Sequence, residues 1–144
     1  MDYHVPNRAT IDKTAQLGLS FMEGLSFQKV SKEIPKDFDA QVTEEELRQV
    51  RSKLDSAGIR LLTYYYHQIP GDEEGCRKIF ELGRKIGIET FISEPLPESL
   101  DTIERFCEEY GINLAIHNHG KEASPQYWHP EGVLKACRER GRRI

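Results

Sequence analysis

The feature that most constrains the fold of this chain is a sequence pattern that recurs four times along it. An amphipathic segment ends, a glycine follows, and an aliphatic residue then opens a short apolar run. The four junctions are Leu17-Gly18-Leu19, Ala57-Gly58-Ile59, Ile86-Gly87-Ile88 and Tyr110-Gly111-Ile112. Glycine is favoured just past a helix because it adopts the left-handed backbone conformation at little cost. The repeat therefore predicts helices that each lead through a glycine into a strand.

The segments between these junctions have the periodicities of alternating helices and strands. Apolar residues spaced three and four apart predict helices over residues 10–17, 43–57, 72–86, 98–110 and 130–140. The apolar runs after the glycines predict strands over residues 19–25, 59–69, 88–94 and 112–119. Strands that alternate with helices of about 10–15 residues indicate βαβ units and a parallel sheet. The predicted fold class is α/β, with about four parallel strands and five helices.

Both ends of the pattern interrupt this repeat. The helix over residues 10–17 has no strand before it, and Arg142-Arg143-Ile144, which follow Gly141, begin another strand. The chain has 144 residues, whereas a closed eight-stranded barrel typically needs roughly 250. We therefore expect residues 1–144 to form a single partial TIM-type barrel domain that lacks the first strand and strands six to eight.

Composition narrows the class of partner. The formal net charge is −4 and the basic residues are scattered, so the chain has no basic stripe for a nucleic-acid backbone. It has no apolar run of about 18 residues that could span a membrane, and residues 1–8 contain no apolar core of a secretion signal. We expect a cytoplasmic protein. The three cysteines, Cys76, Cys107 and Cys137, form no C-x-x-C pair, so we interpret them as core thiols on helices.

Candidate site residues are the polar side chains at the carboxyl ends of the predicted strands, because reactive groups of such α/β folds lie there. In chain order these are Glu23, Lys29 in the following loop, His67, Glu94, His117, Asn118 and His119. Trp128 lies in the long loop after Gly120, where an aromatic ring can stack on a sugar or plug the end of the barrel.

The most informative stretch is His117-Asn118-His119 at the end of the fourth predicted strand. Side chains alternate along a strand, so the two imidazoles are expected on one face together with Ala115, about 6–7 Å apart. They can bind one divalent metal, or one can bind metal while the other holds substrate. Alternatively, they are hydrogen-bonded residues of a polar interior that bind nothing.

Glu94 precedes Pro95 at a predicted strand end. It is compatible with a general base, a substrate anchor or a metal carboxylate. It is equally compatible with a carboxylate at the start of the next helix, where a negative charge interacts favourably with the helix dipole. Glu23 occupies a similar position on the first strand, although solvation at the surface also accounts for it.

Several strings resemble the sugar phosphate isomerase/epimerase family, which has the xylose-isomerase-like TIM barrel. The strings are Ser93-Glu94-Pro95, Ala115-Ile116-His117-Asn118-His119-Gly120, Tyr127-Trp128, Pro130-Glu131-Gly132-Val133-Leu134 and the early Asp12-Lys13-Thr14-Ala15-Gln16-Leu17-Gly18. The resemblance spans nearly the whole chain.

This resemblance implies a divalent metal, manganese or magnesium, that activates a ketose-like or inosose-like substrate for proton transfer. His117 resembles the metal ligand of the fifth strand, which is glutamate in many members. His119 and Asn118 resemble the polar residues that follow that ligand, and Glu94 resembles a residue of the fourth strand that contacts substrate or metal. The family's remaining ligands, from strands six to eight, have no counterparts in this sequence.

We predict metal-assisted isomerase or epimerase chemistry on a small sugar, with Glu94 and His119 as catalytic residues and His117 and His119 as metal ligands. Glu23, Lys29, His67, Asn118 and Trp128 are the predicted substrate-binding residues. The alternative is a non-catalytic barrel fragment that folds as a homo-oligomer through its open sheet edges. An abasic-site nuclease related to endonuclease IV is disfavoured by the acidic charge balance and by the absence of a multi-histidine metal set.

Overall fold

A computed structural model of the protein describes residues 7–144, so the first six residues of the predicted domain lie outside the described part. Helices and strands alternate as predicted. In chain order the elements are α1 (Asn7–Gln16), β1 (Phe21–Leu25), α2 (Glu44–Ala57), β2 (Arg60–Tyr65), α3 (Glu73–Ile86), β3 (Thr90–Ser93), a short 3-10 helix (Pro97–Ser99), α4 (Leu100–Tyr110), β4 (Asn113–Ile116) and α5 (Pro130–Cys137).

The four strands form one parallel sheet in the order β1-β2-β3-β4. Each strand pairs with the next strand along the chain, and helices α2, α3 and α4 make the crossovers between them. This consecutive order is that of a TIM-type barrel, whereas a doubly wound sheet reverses direction at a switch point. The prediction of an α/β fold with four parallel strands and five helices is confirmed.

The two faces of the sheet differ in what covers them. Tyr64, Phe91 and Leu114 are register partners on one face, and all three are buried beneath the helices. Phe80 of α3, for example, lies 5.1 Å from the Phe91 ring, measured between centroids. The register partners on the other face are not covered in this way, and Ala115 there is exposed. The described helices therefore cover the sheet on one face only, and we call the opposite side the open face.

Helix α2 shows how local sequence sets an element boundary. The side chain of Thr43 accepts a hydrogen bond from the backbone of Glu46, and the Glu46 carboxylate accepts one in return from the backbone of Thr43. This capping box satisfies two backbone N–H groups at a helix start that otherwise have no partner. The hydrogen bond from Lys36 and the bond from the Thr43 backbone lower the pKa of Glu46 to about 2.

Several predicted boundaries were wrong, and the strands are shorter than their apolar runs. Strand β2 ends at Tyr65 instead of residue 69, and β4 ends at Ile116 instead of residue 119. The register partner of Ile116 is Ser93, the last residue of β3, so little of the neighbouring strand remains beyond it. His117 to His119 therefore lie in the loop after β4. Helix α5 ends at Cys137, three residues before its predicted end.

The end of the chain lies beside β4, but residues 142–144, which were predicted to begin another strand, form a turn instead. The N–H of Leu114 donates a hydrogen bond of 2.6 Å to the carbonyl of Arg143. In the described part of the chain, no helix combines the length and the apolar character that crossing a bilayer would require.

Candidate active site

Glu94 is the first residue after β3 and lies at the carboxyl edge of the sheet. Its backbone N–H donates a hydrogen bond of 2.9 Å to the carbonyl of His67, which extends the ladder between β2 and β3 by one step. The residue is only 2% exposed. Because a buried carboxylate is costly unless it is hydrogen-bonded, its partners define the site.

The Glu94 carboxylate is held mainly through one oxygen. Its Oε1 lies 2.6 Å from Nδ1 of His119 and accepts a hydrogen bond of 3.1 Å from the hydroxyl of Tyr65. The other oxygen, Oε2, is buried and has no hydrogen-bond partner, and the same holds for the buried hydroxyl of Ser124. Glu94 makes no helix cap, because the 3-10 helix that begins at Pro97 has no side-chain cap. Glu94 therefore has no capping role at this helix, and its interaction with the helix dipole stays a prediction.

Opposing effects determine the protonation state of Glu94. Burial raises the pKa of this carboxyl, but the nearby hydroxyl of Ser124, the hydrogen bonds from His119 and Tyr65, and the charge of His119 outweigh burial and lower it below its ordinary value. The Ser124 hydroxyl acts here by proximity, since it forms no hydrogen bond of standard geometry. We therefore treat Glu94 as a carboxylate at neutral pH.

The two histidines of the H-N-H stretch lie together next to Glu94. The ring centroids of His117 and His119 are 4.6 Å apart, with an angle of 78° between the ring planes. The backbone N–H of His117 donates a hydrogen bond of 2.9 Å to the carbonyl of Ser93, which keeps the loop at the sheet edge. One potential ligand atom from each of Glu94, His117 and His119 lies within 4.8 Å of the other two. Such a cluster can hold a metal ion.

Tyr65 is the functional candidate that sequence analysis missed. Its hydroxyl lies 3.1 Å from Glu94 Oε1 and 3.1 Å from Nδ1 of His67, and its ring is edge-on to that of His117 at 5.3 Å. Burial, with the hydrogen bond to Glu94, raises the Tyr65 pKa to about 12, so the phenol is protonated at neutral pH. The signal was present in the sequence, since alternation along β2 directs Tyr65 away from the face of Tyr64.

The predicted substrate-binding residues are only partly brought together. His67 lies next to the cluster, with its Nδ1 3.8 Å from Glu94 Oε1 and its side chain 65% exposed. Glu23 is on the open face, where its carboxylate accepts a hydrogen bond of 3.1 Å from Thr63. Asn118 is exposed between the two histidines. Glu23 and His67 belong to the open-face side of the sheet.

The other two predicted substrate-binding residues make contacts of their own. Lys29 forms an ion pair of 2.8 Å with Asp37. The Trp128 ring lies 5.2 Å from that of His129 and under the ammonium of Lys121 at 5.3 Å. Its neighbour Tyr127 is buried and donates a hydrogen bond of 2.7 Å to the carbonyl of Pro95. Tyr127, rather than Trp128, therefore fastens the loop over the Glu94 region.

Comparison with known proteins identifies the fold. Neither any family model nor any curated protein sequence matches this chain. Among solved structures, an uncharacterized protein from Parabacteroides distasonis is similar with a TM-score of 0.78 and 29% identity, over 96% of this chain and 56% of that one. A D-psicose 3-epimerase, solved in the presence of D-fructose, is similar with a TM-score of 0.63 and 15% identity, over 94% and 56%.

A third similar structure is a sugar phosphate isomerase/epimerase from Parabacteroides distasonis, with a TM-score of 0.60 and 16% identity over 90% of this chain and 58% of that one. The protein thus has the xylose-isomerase-like TIM-barrel fold, represented by four of its strands. The chain spans a little over half the length of these structures.

Proposed function

We propose that this chain contributes part of the active site of a sugar isomerase or epimerase, which moves a proton on a ketose or inosose. The observation that carries the proposal is the Glu94–His119 contact of 2.6 Å beside His117 at the carboxyl edge of the sheet. Solved structures with this fold include a D-psicose 3-epimerase and a sugar phosphate isomerase/epimerase, which favours sugar chemistry over other reactions that TIM barrels carry out.

In this proposal His119 accepts and returns the proton and Glu94 assists it. With Nδ1 directed to Glu94, the free Nε2 of His119 can take a proton from the carbon next to a substrate carbonyl, and the buried carboxylate then stabilises the imidazolium. Glu23, His67 and Asn118 would offer hydrogen-bonding groups to sugar hydroxyls. Lys29 and Trp128 would need to turn away from their present partners to join them.

His117 and His119 would hold a divalent ion, manganese or magnesium, with Glu94 beside them. The donor set of two imidazoles and one carboxylate suits manganese better than magnesium, which prefers oxygen ligands. When bound, the ion supplies positive charge that makes the carbon next to the carbonyl more acidic. Because Nδ1 of His119 already contacts Glu94, its Nε2 can either help hold the ion or accept the proton; where it accepts the proton, His117 would hold the ion.

The remaining ligands would come from outside the four described strands, from other strands of a complete barrel. We place the four strands as the second to the fifth of that barrel, so the first strand and strands six to eight would have to complete it. Activity is accordingly a proposal for the complete barrel, which we expect to work in the cytoplasm on a small sugar.

A second candidate is a non-catalytic fragment that associates with further copies of itself. It is favoured by the exposed apolar side chains next to and within β1, where Leu17, Leu19 and Phe21 are 75%, 55% and 54% exposed. An unpaired strand edge with apolar neighbours favours association. Light scattering after size exclusion would give the mass in solution, and a monomer at micromolar concentration would exclude this candidate.

Titration calorimetry with Mn²⁺ tests the site of the main proposal. We expect wild-type protein to bind Mn²⁺, and His117→Ala and His119→Ala each to weaken binding at least about tenfold. His129→Ala is the matched control, because His129 contacts Trp128 and Glu131 instead of the cluster. Absence of Mn²⁺ uptake would count against the metal role, and absence of ketohexose epimerisation by a chain containing all eight strands would exclude the activity.

A further inference from the structure

Tyr65 connects the parts of the candidate site that come from different strands. It is the last residue of β2, and its hydroxyl contacts Glu94 after β3 and His67 after β2. Its ring is edge-on to His117 after β4, at 5.3 Å, and to Phe27 after β1, at 6.1 Å. A single side chain thus touches residues that follow all four strands.

The contacts around Tyr65 favour one arrangement of hydrogen bonds. A phenol has a single proton, and the charged Glu94 carboxylate is a stronger acceptor than a neutral imidazole nitrogen. When that proton goes to Glu94 Oε1 at 3.1 Å, the phenol oxygen is left to accept at 3.1 Å from Nδ1 of His67. In this arrangement His67 carries its proton on Nδ1.

The same reasoning applies to His119. Its Nδ1 lies 2.6 Å from Glu94 Oε1, and a carboxylate oxygen can only accept, so Nδ1 of His119 is the protonated nitrogen. In the neutral form of each ring, Nε2 is then the nitrogen with the free lone pair. The hydrogen bond between Tyr65 and Glu94 thus determines which ring nitrogen His67 and His119 present at the open face.

We propose that Tyr65 is a positioning residue, which holds Glu94 with its hydroxyl and thereby orients His67 and His119 with their Nε2 atoms available to ligand. The geometry separates this role from structural packing. The neighbouring Tyr64 is 0% exposed and donates its hydroxyl to a backbone carbonyl, that of Phe38, inside the core. Tyr65 is only partly buried, and its hydroxyl contacts Glu94 and His67 of the candidate site. The inference on ligand binding rests on the proposed function, whereas the imidazole orientation does not.

The test compares Tyr65→Phe with Tyr66→Phe in the full chain. Each variant loses one phenol oxygen from adjacent positions, and Tyr66 is partly buried without a contact to the Glu94 cluster. The first readout is the tautomer of His67 and His119 in metal-free protein, from ¹⁵N shifts and long-range ¹H–¹⁵N correlations at neutral pH. In wild type we expect both rings to carry the proton on Nδ1.

In Tyr65→Phe we expect His67 to shift towards the Nε2–H form, because its acceptor is gone, and the His119 Nδ1–H signal to move as Glu94 loses a partner. Tyr66→Phe should leave both rings unchanged. The proposal is overturned if wild-type His67 lacks a proton on Nδ1, or if Tyr65→Phe alters neither ring. The wild-type spectrum decides this even if a variant folds poorly.

The second readout is Mn²⁺ affinity, measured by calorimetry on the same three proteins. Loss of a residue that orients a metal ligand typically weakens metal binding about 10–100-fold, so we expect Tyr65→Phe to fall in that range and Tyr66→Phe to match wild type. If wild type takes up no Mn²⁺, the metal role fails while the tautomer result still decides the role of Tyr65. If Mn²⁺ binds equally to all three proteins, the claimed effect on ligand binding is wrong.

Discussion

The two faces of the sheet are built from the same strands and differ in almost everything else. On the helix-covered face, Tyr64, Phe91 and Leu114 pair in register and are 0%, 0% and 4% exposed. On the open face, one residue further along each strand, Tyr65, Ile92 and Ala115 also pair in register. These side chains are partly buried or exposed, and the Tyr65 hydroxyl contacts the candidate site. The alternation of side chains along each strand therefore separates the face that stabilises the fold from the face that carries the candidate site.

Glu94 shows what happens where the two faces meet. It follows β3, where strand alternation ends, and is as buried as a core residue although its hydrogen bonds go to open-face groups. Burial would disfavour its charge, and the surrounding donors reverse that effect. The comparison predicts that mutations on the covered face alter stability, whereas those on the open face alter ligand chemistry.

The largest expected difference in the free energy of unfolding is between substitutions at two neighbouring residues of β3. Phe91 is fully buried against Phe80 and Tyr64, so Phe91→Ala should lower the free energy of unfolding by about 3–5 kcal/mol. Ile92→Ala, on the open face, should cost no more than about half as much. Urea denaturation measures both values. Equal losses would show that the open face is covered in solution.

Thiol reactivity tests how well the helix layer seals the covered face. Cys76 of α3 and Cys107 of α4 are buried, and burial raises each pKa to about 12. Because the thiolate is the reactive form, these two thiols should react on the order of a thousandfold more slowly than an ordinary cysteine.

Cys137, which is partly buried at the end of α5, should be labelled first by a thiol-specific reagent at pH 8. Cys137→Ser should remove the fast phase, and urea should release all three thiols. A fast phase that persists in Cys137→Ser would show that the layer between α3 and α4 opens readily.

Glu94→Gln probes the boundary between the faces. We expect a loss of about 1–3 kcal/mol at pH 7, because a charged hydrogen-bond acceptor is replaced in a buried position. The folded-state pKa of Glu94 lies below its ordinary value of 4.5. Its stabilising contribution is therefore complete above about pH 4.5 and is lost as the pH falls through the folded-state pKa.

The difference in unfolding free energy between wild type and Glu94→Gln should accordingly shrink from pH 7 to pH 3. Exposed Glu122→Gln serves as the control for loss of one carboxylate. A difference that grows on acidification would mean that the folded-state pKa of Glu94 lies above its ordinary value.

The smallest expected effect is that of Ala115→Ser. Ala115 is exposed on the open face, so the added hydroxyl should change the free energy of unfolding by no more than about 0.5 kcal/mol. Leu114→Ser, one residue earlier and buried, is the comparison and should be far more damaging. A large effect of Ala115→Ser would indicate that a partner or a second copy packs on the open face.

Much of the architecture was predictable because it depends on local rules. All four junction glycines have positive φ angles, between 66° and 79°, which is the left-handed conformation that the repeat required. The alternation that separates Tyr64 from Tyr65 and Leu114 from Ala115 is likewise readable in the sequence. Strand order followed because consecutive βαβ units place successive strands side by side.

The candidate site was predictable as a region, and less so in detail. Glu94, His117 and His119 do lie together, but the histidines project from a loop, because β4 stops when its partner strand stops. Lys29 and Trp128 were chosen by residue type and found other partners, Asp37 and Lys121. Tyr65 was missed because its importance lies in contacts with residues up to 52 positions away, such as His117.

By itself the sequence determined the order of helices and strands, the glycine at each junction and which residues of a strand share a face. These follow from backbone conformation and side-chain periodicity over a few residues. Only the tertiary structure decided which donors surround Glu94, which histidine it holds and how Tyr65 links them. Those contacts join the ends of different strands, and their distances depend on strand length, loop path and packing together.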